Sequence, residues 1–307
     1  MAESTLSLTY QDIVKVIARQ LGYGEAYGTG TLTVSSGVCT LAGGTFPTWI
    51  ASSSALAAID IAGTFYEVAS RDSATQVTLT DTSVSVGAGA RYVVVQAQRD
   101  PKTAVLEAIQ EIIDTGYREF LCPPPPNEET PYFNWSFLIR QGTLTLATDD
   151  EDYDLPDDFG QWLDESMTYG AGVDQTNPSL CSEREMRSKL ARSPQEGWPE
   201  YVTWRPKTFD ATTGSRFEAL VHPKPIAAQN GSTIEYNYRV MPDRLTVTNR
   251  YPICGALHSD TLLKVCQAAA ERKLDDQPGA YAQKAAERLS ASMQADMATR
   301  RIKGMRF

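Results

Sequence analysis

The chain has 307 residues, 42% of them hydrophobic, and carries 28 Lys and Arg against 38 Asp and Glu, a formal net charge of −10. That length allows two domains and a sizeable core, while the negative sign opposes general affinity for nucleic acid phosphates and leaves only a local basic patch to touch DNA. The five Cys form no CxxC pair, as expected of free thiols in a reducing compartment, and neither a signal peptide nor an apolar run of membrane-spanning length is present, so the expectation is a soluble protein made in a cytoplasm.

In chain order, Thr9 followed by Asp12 has the form of a capping box, and Ile13, Val16, Ile17 and Leu21 then recur at helical spacing until Gly22. Residues 28–96 break that pattern with a run rich in Thr, Ser, Gly and Val and nearly free of charge. Residues 31–34 and 38–41 alternate about a Ser35-Ser36-Gly37 turn, which predicts a hairpin. Further strands are predicted at 58–61, 65–69, 76–80 and 91–96, with Gly63-Thr64, Asp72-Ser73 and residues 87–89 as punctuation. Five or six strands suit a small barrel or sandwich. A helical frame resumes with Asp100-Pro101 as cap and first-turn proline, and Val105, Ile109, Ile112, Ile113 and Phe120 line one face.

The prolines at 123–126 predict a stiff extended connector. Residues 135–139 and 143–147 read as strands joined across Gln141-Gly142. Asp149, Asp150, Glu151, Asp152, Asp154, Asp157 and Asp158 then crowd together as a solvated acidic loop. An EF-hand fails there, because Leu155 stands where Gly is needed and Gln161 where a bidentate Glu is needed. Ser182 with Glu185 opens a short helix; residues 202–205, 216–221 and 233–240 read as strands, with a turn at 229–232 between the last two. Ala-rich helices are predicted at 258–274 and 280–302, separated by Gln277-Pro278-Gly279.

Catalytic chemistry finds no signature. The two His residues, His222 and His258, accompany neither Gly-x-Ser-x-Gly nor His-Glu-x-x-His. Cys254, His258 and Cys266 fall short of zinc spacing. The Gly residues at 30, 37, 43 and 44 lack the Lys and the helix of a phosphate-binding loop. The prediction is therefore a protein with no cofactor, no metal and no enzymatic activity. Trp49, Tyr66 and Tyr92 offer an alternative, an aromatic platform for glycan in a tail-associated or host-recognition module.

The order of elements resembles the head-to-tail adaptor, or connector, proteins of tailed bacteriophages. The resemblance rests on the helix opening Leu8-Thr9-Tyr10-Gln11-Asp12-Ile13, the helix at 101–120 after a β insert, the segment Tyr153-Asp154-Leu155-Pro156-Asp157-Asp158-Phe159, and a strand ending Val240-Met241-Pro242 before helices containing Ala269-Ala270-Glu271 and Ala286-Glu287-Arg288-Leu289. It implies a virion protein of the neck, made in the host cytoplasm. Such a protein forms a ring, typically twelvefold, beneath the portal and above a downstream tail or nozzle protein. Packaged DNA passes through without sequence-specific binding, and no membrane is involved.

The expected fold is α+β: a helical bundle frame (1–27 and 97–122), an inserted all-β module (28–96), a strand-rich central region with the acidic loop (123–256), and C-terminal helices with a basic tail (257–307). Arg300, Arg301, Lys303 and Arg306 reverse the chain's overall sign, and Ile302, Met305 and Phe307 interleave as apolar anchors. These seven are the expected portal contacts. Asp149, Asp150, Glu151, Asp152, Trp49 and Tyr66 are the expected contacts to a ring neighbour or tail component.

Overall fold

The computed structural model describes residues 4–50, 57–97, 102–123, 133–192, 195–212, 214–275 and 279–302. They fall into two compact units, residues 1–135 with 243–307 and residues 136–242. The chain thus leaves the first unit at Trp135 and returns to it at Asp243.

The first unit is built on four helices. α1 (Tyr10–Gln20) starts at the expected capping box: the Asp12 backbone N–H donates to Thr9 Oγ1 at 3.3 Å and the Thr9 backbone N–H to Asp12 Oδ2 at 3.0 Å. Its stripe of Tyr10, Ile13, Val14, Ile17 and Ala18 is fully buried. α2 (Lys102–Leu121) buries Val105, Ile109, Ile112, Ile113 and Phe120 as its periodicity requires; the expected cap at Asp100-Pro101 lies outside the described residues. A buried amide joins the frame, for Tyr10 Oη donates to Gln110 Oε1 at 2.7 Å and Gln110 Nε2 donates to the Leu245 carbonyl at 3.0 Å. α3 (Glu183–Arg192) belongs to the second unit, and α4 (Gly255–Asp275) and α5 (Ala280–Ile302) complete the first. α2 crosses α4 at Gly116, where a Cβ would lie 2.7 Å from Cys266 Cα.

The insert forms one eight-stranded antiparallel sheet in the order β1 (Ala26–Tyr27), β8 (Tyr92–Gln96), β4 (Ala57–Ile61), β5 (Thr64–Arg71), β6 (Gln76–Leu79), β3 (Val38–Ala42), β2 (Thr31–Ser35), β7 (Val86–Ala90). The predicted hairpin is present, with Ser36 and Gly37 both at positive φ (48° and 77°) in a two-residue turn. β5 changes partner along its length, pairing β4 through Thr64 to Glu67 and β6 from Val68 on, with a bulge between Val68 and Ser70 in the β6 pairing. Side chains from both halves, including Leu32, Val34, Leu41, Ile59, Val77 and Val94, share one core. The barrel alternative is corrected. β1 and β7 end the strand order without pairing each other among the described residues, and a two-residue β1 has too few backbone groups to close a cylinder.

The second unit holds two sheets. One runs β10 (Asp152–Asp154), β14 (Gly214–His222), β13 (Tyr201–Asp210), β12 (Ser179–Leu180); the other runs β11 (Phe159–Tyr169), β15 (Thr233–Val240), β9 (Ile139–Thr145). Phe159 is the hub between them, its ring centroid 5.6 Å from those of Trp204 and Phe217 and 5.7 Å from that of Tyr238. Two sequence expectations fail here. Residues 136–138 form a 3-10 turn, not a strand, and Gln141-Gly142 lies inside β9, not in a turn. The physical reason is packing: Gly142 sits beneath Tyr236, where a Cβ would meet the ring at 2.4 Å.

Candidate assembly surfaces

Polar groups link the C-terminal helices at two places. Among the described side chains of α5 the buried ones are Ala285, Ser292 and Asp296, one face at helical spacing. Opposite them on α4, His258 Nδ1 lies 2.5 Å from Ser292 Oγ, and the His258 ring packs 5.3 Å from the buried Trp135. Burial lowers the His258 pKa, and Asp296 pulls it back up. Serine, histidine and carboxylate resemble a nucleophilic triad, but His258, Ser292 and Asp296 are 4%, 7% and 2% exposed, so no substrate could reach them. The cluster locks two helices together.

Glu271 does the same at the other end of the pair. Its Oε2 accepts from the backbone N–H groups of Gly279, Tyr281 and Ala282, each at 3.1 Å. A carboxylate from α4 thus satisfies donors at the start of α5 and sits at the positive end of its dipole. Sequence reading missed this cap because it comes from a preceding helix. At the far end α5 runs to Ile302, ten residues past Ser292, whereas α4 begins three residues before His258. The backbone of Arg300, Arg301 and Ile302 is helical; Lys303, Met305, Arg306 and Phe307, the rest of the expected portal contact, lie outside the described residues.

The acidic segment is more ordered than a solvated loop. Asp152 and Asp154 belong to β10, paired with Leu220 and Glu218 of β14. Lys207 Nζ lies 2.7 Å from Asp154, 3.6 Å from Asp152 and 3.6 Å from the buried Glu218, which Arg205 also meets at 2.7 Å. Lys224 approaches Asp149 at 3.5 Å, and Asp158 accepts from Arg140 at 2.5 Å and from the Tyr238 hydroxyl at 3.0 Å. Tyr153 anchors the turn, its hydroxyl donating to the Asp150 carbonyl at 3.1 Å. Tyr153, Leu155 and Phe159 are buried while Asp154 and Asp157 stay exposed, so the segment quoted for the resemblance is first a packing motif. Among the described residues no cluster of three His, Cys, Asp or Glu is placed to hold a metal.

Of the aromatics in the insert, Tyr92 is fully buried, its hydroxyl donating to the Thr29 carbonyl at 2.8 Å. Trp49 and Tyr66 are half-buried and pack against the same core. A glycan platform therefore loses its third ring. Trp49 and Tyr66 belong to the first unit and Asp149, Asp150, Glu151 and Asp152 to the second.

A family model described as SU10 adaptor protein matches residues 100–305. The chain belongs to that family. No curated protein matches it. The matched span runs from the start of α2 to the basic tail and takes in the whole second unit and both C-terminal helices. α1 and the β insert precede it. As an SU10 adaptor the chain is a head-to-tail connector of the phage virion, a structural component and not an enzyme. No helix among the described residues is long and apolar enough to cross a membrane.

Proposed function

We propose that copies of this adaptor close into a ring, twelvefold as in the proteins it resembles, seated beneath the portal at the neck. The ring joins capsid to tail and surrounds the passage for DNA. The observation that carries this reading is the family match, because it covers the helices and tail through which a portal contact would be made. A ring repeats one heterologous contact, so modest interfaces sum to a stable assembly. The net charge of −10 suits a channel through which DNA slides without adhering.

The tail residues Arg300, Arg301, Ile302, Lys303, Met305, Arg306 and Phe307 bind the portal. α5 carries the backbone of Ile302 about 15 Å beyond the level of His258 and Ser292, ten residues at the helical rise. Asp149, Asp150, Glu151 and Asp152, with Trp49 and Tyr66, face a ring neighbour or the next tail component. Their ion pairs lie at the surface and contribute little to stability. They are therefore available for assembly at small cost to the fold. A chain truncated after Thr299 is expected to lose binding to portal particles, and one with the four acids neutralised to bind portal but fail to attach tails. Unchanged binding by the first variant, or normal tail attachment by the second, would remove the corresponding contact.

A further inference from the structure

Part of the insert's sheet is buried on both faces. In β4, Ala57, Ile59 and Ile61 point into the insert's own core, and in β8 so do Tyr92 and Val94. Strand alternation sends Ala58, Asp60, Val93 and Val95 to the other side, yet these four are completely buried as well. What covers them is the helical frame, for β4 and β5 pack on α2, and β1 and β8 pack on α1. Of the four, only Asp60 can ionise.

The seam provides poorly for a charge at that position. One carboxylate oxygen of Asp60 accepts the Gly63 backbone N–H at 2.8 Å; the other has no hydrogen-bond partner among the described residues. The Tyr10 hydroxyl of α1 feels the Asp60 charge but already donates to Gln110 Oε1 at 2.7 Å. Glu107, Glu111 and Asp114 of α2 line a cleft with Phe65, the cross-strand neighbour of Asp60, and β5 adds Glu67 on the same face. Arg118 and Arg244 are the cations of that cleft, and the attraction of Arg244 is outweighed at Asp60 by burial. A carboxyl group buried without a partner is held most readily as the neutral acid.

We propose that ionisation of Asp60 releases the insert from the helical frame while the insert keeps its own core. The charge sits in the seam, so parting insert from frame lets water reach the carboxylate without breaking a strand pair, and Leu32, Val34, Leu41, Ile59, Val77 and Val94 stay packed on one another. The direction follows from burial, which raises the Asp60 pKa from 3.8 to about 6. The docked form favours the protonated acid, so docking is strongest below about pH 4 and weakens as pH rises through about 6. With an ordinary carboxyl in the released form, the ratio of released to docked chains rises about tenfold between pH 5 and pH 8.

The test is thiol labelling of the full chain carrying Val95→Cys, which places a smaller side chain in the seam, with each rate divided by that of a free thiol at the same pH. Ala58→Cys, on the strand facing Val95, is the second probe. Cys39, buried in the insert's core, is the control within the same molecule. The expected result is a relative rate at the seam that rises about tenfold from pH 5 to pH 8 while Cys39 stays protected. Adding Asp60→Asn, which keeps an acceptor for Gly63 and cannot ionise, is expected to abolish the rise. At either probe, a relative rate equal at the two pH values, a parallel rise at Cys39, or a rise that persists with Asp60→Asn overturns the proposal.

Discussion

Gly116 and Gly142 mark places where a methyl group has no room. At Gly116 the obstacle is backbone, Cys266 Cα at 2.7 Å, so α2 and α4 would have to part. Gly116→Ala is expected to cost about 1–3 kcal/mol, read as a lowered urea midpoint with helical content retained. Asp60 is a second residue whose setting has a measurable consequence. It is fully buried in β4; its Oδ1 accepts the Gly63 backbone N–H at 2.8 Å, and its Oδ2 has no hydrogen-bond partner among the described residues. Burial raises its pKa from an ordinary 3.8 to about 6, against the pull of Gly63 and Arg244. The folded state thus favours the protonated acid. Its share of stability is complete below about pH 4 and is lost as pH rises through about 6. Asp60→Asn keeps the acceptor for Gly63 and removes the charge. It is expected to stabilise the protein by about 1–3 kcal/mol at pH 8 and to match the parent near pH 4, as measured by denaturation at the two pH values.

At the scale of elements, what was legible in the sequence is what local chemistry dictates. α1, α2, α3, α4 and α5 announce themselves through caps and periodicity, and the β2–β3 hairpin through its turn. What was not legible depends on partners distant in sequence. β7 reads as punctuation because Gly87, Ala88 and Gly89 carry no strand signal; it forms because β2 offers a ladder. Gly142 looks like a turn until Tyr236 covers it. The acidic stretch looks solvated until Lys207, Arg140 and Lys224 arrive from other elements. The Glu271 cap belongs to the same class. Glu271→Ala is expected to weaken the start of α5 by about 1–2 kcal/mol, seen as faster amide hydrogen exchange at Tyr281 and Ala282 with α2 unaffected.

For the whole molecule, the two units differ in how they relate to the family match. The second unit and the C-terminal helices lie inside it, and the eight-stranded insert lies outside. The matched span therefore takes in α2, the C-terminal helices and an aromatic-cored unit bearing acids on its surface, while the insert is a module with a core of its own. The −10 charge and its reversal in the last eight residues assign opposite electrostatic character to the body and the tail. Reconstruction of the head–tail junction by electron cryo-microscopy of purified virions tests this most directly. The account predicts copies of this chain in a ring between portal and tail, with α5 pointing at the portal. A junction that contains no copy of the chain would contradict it.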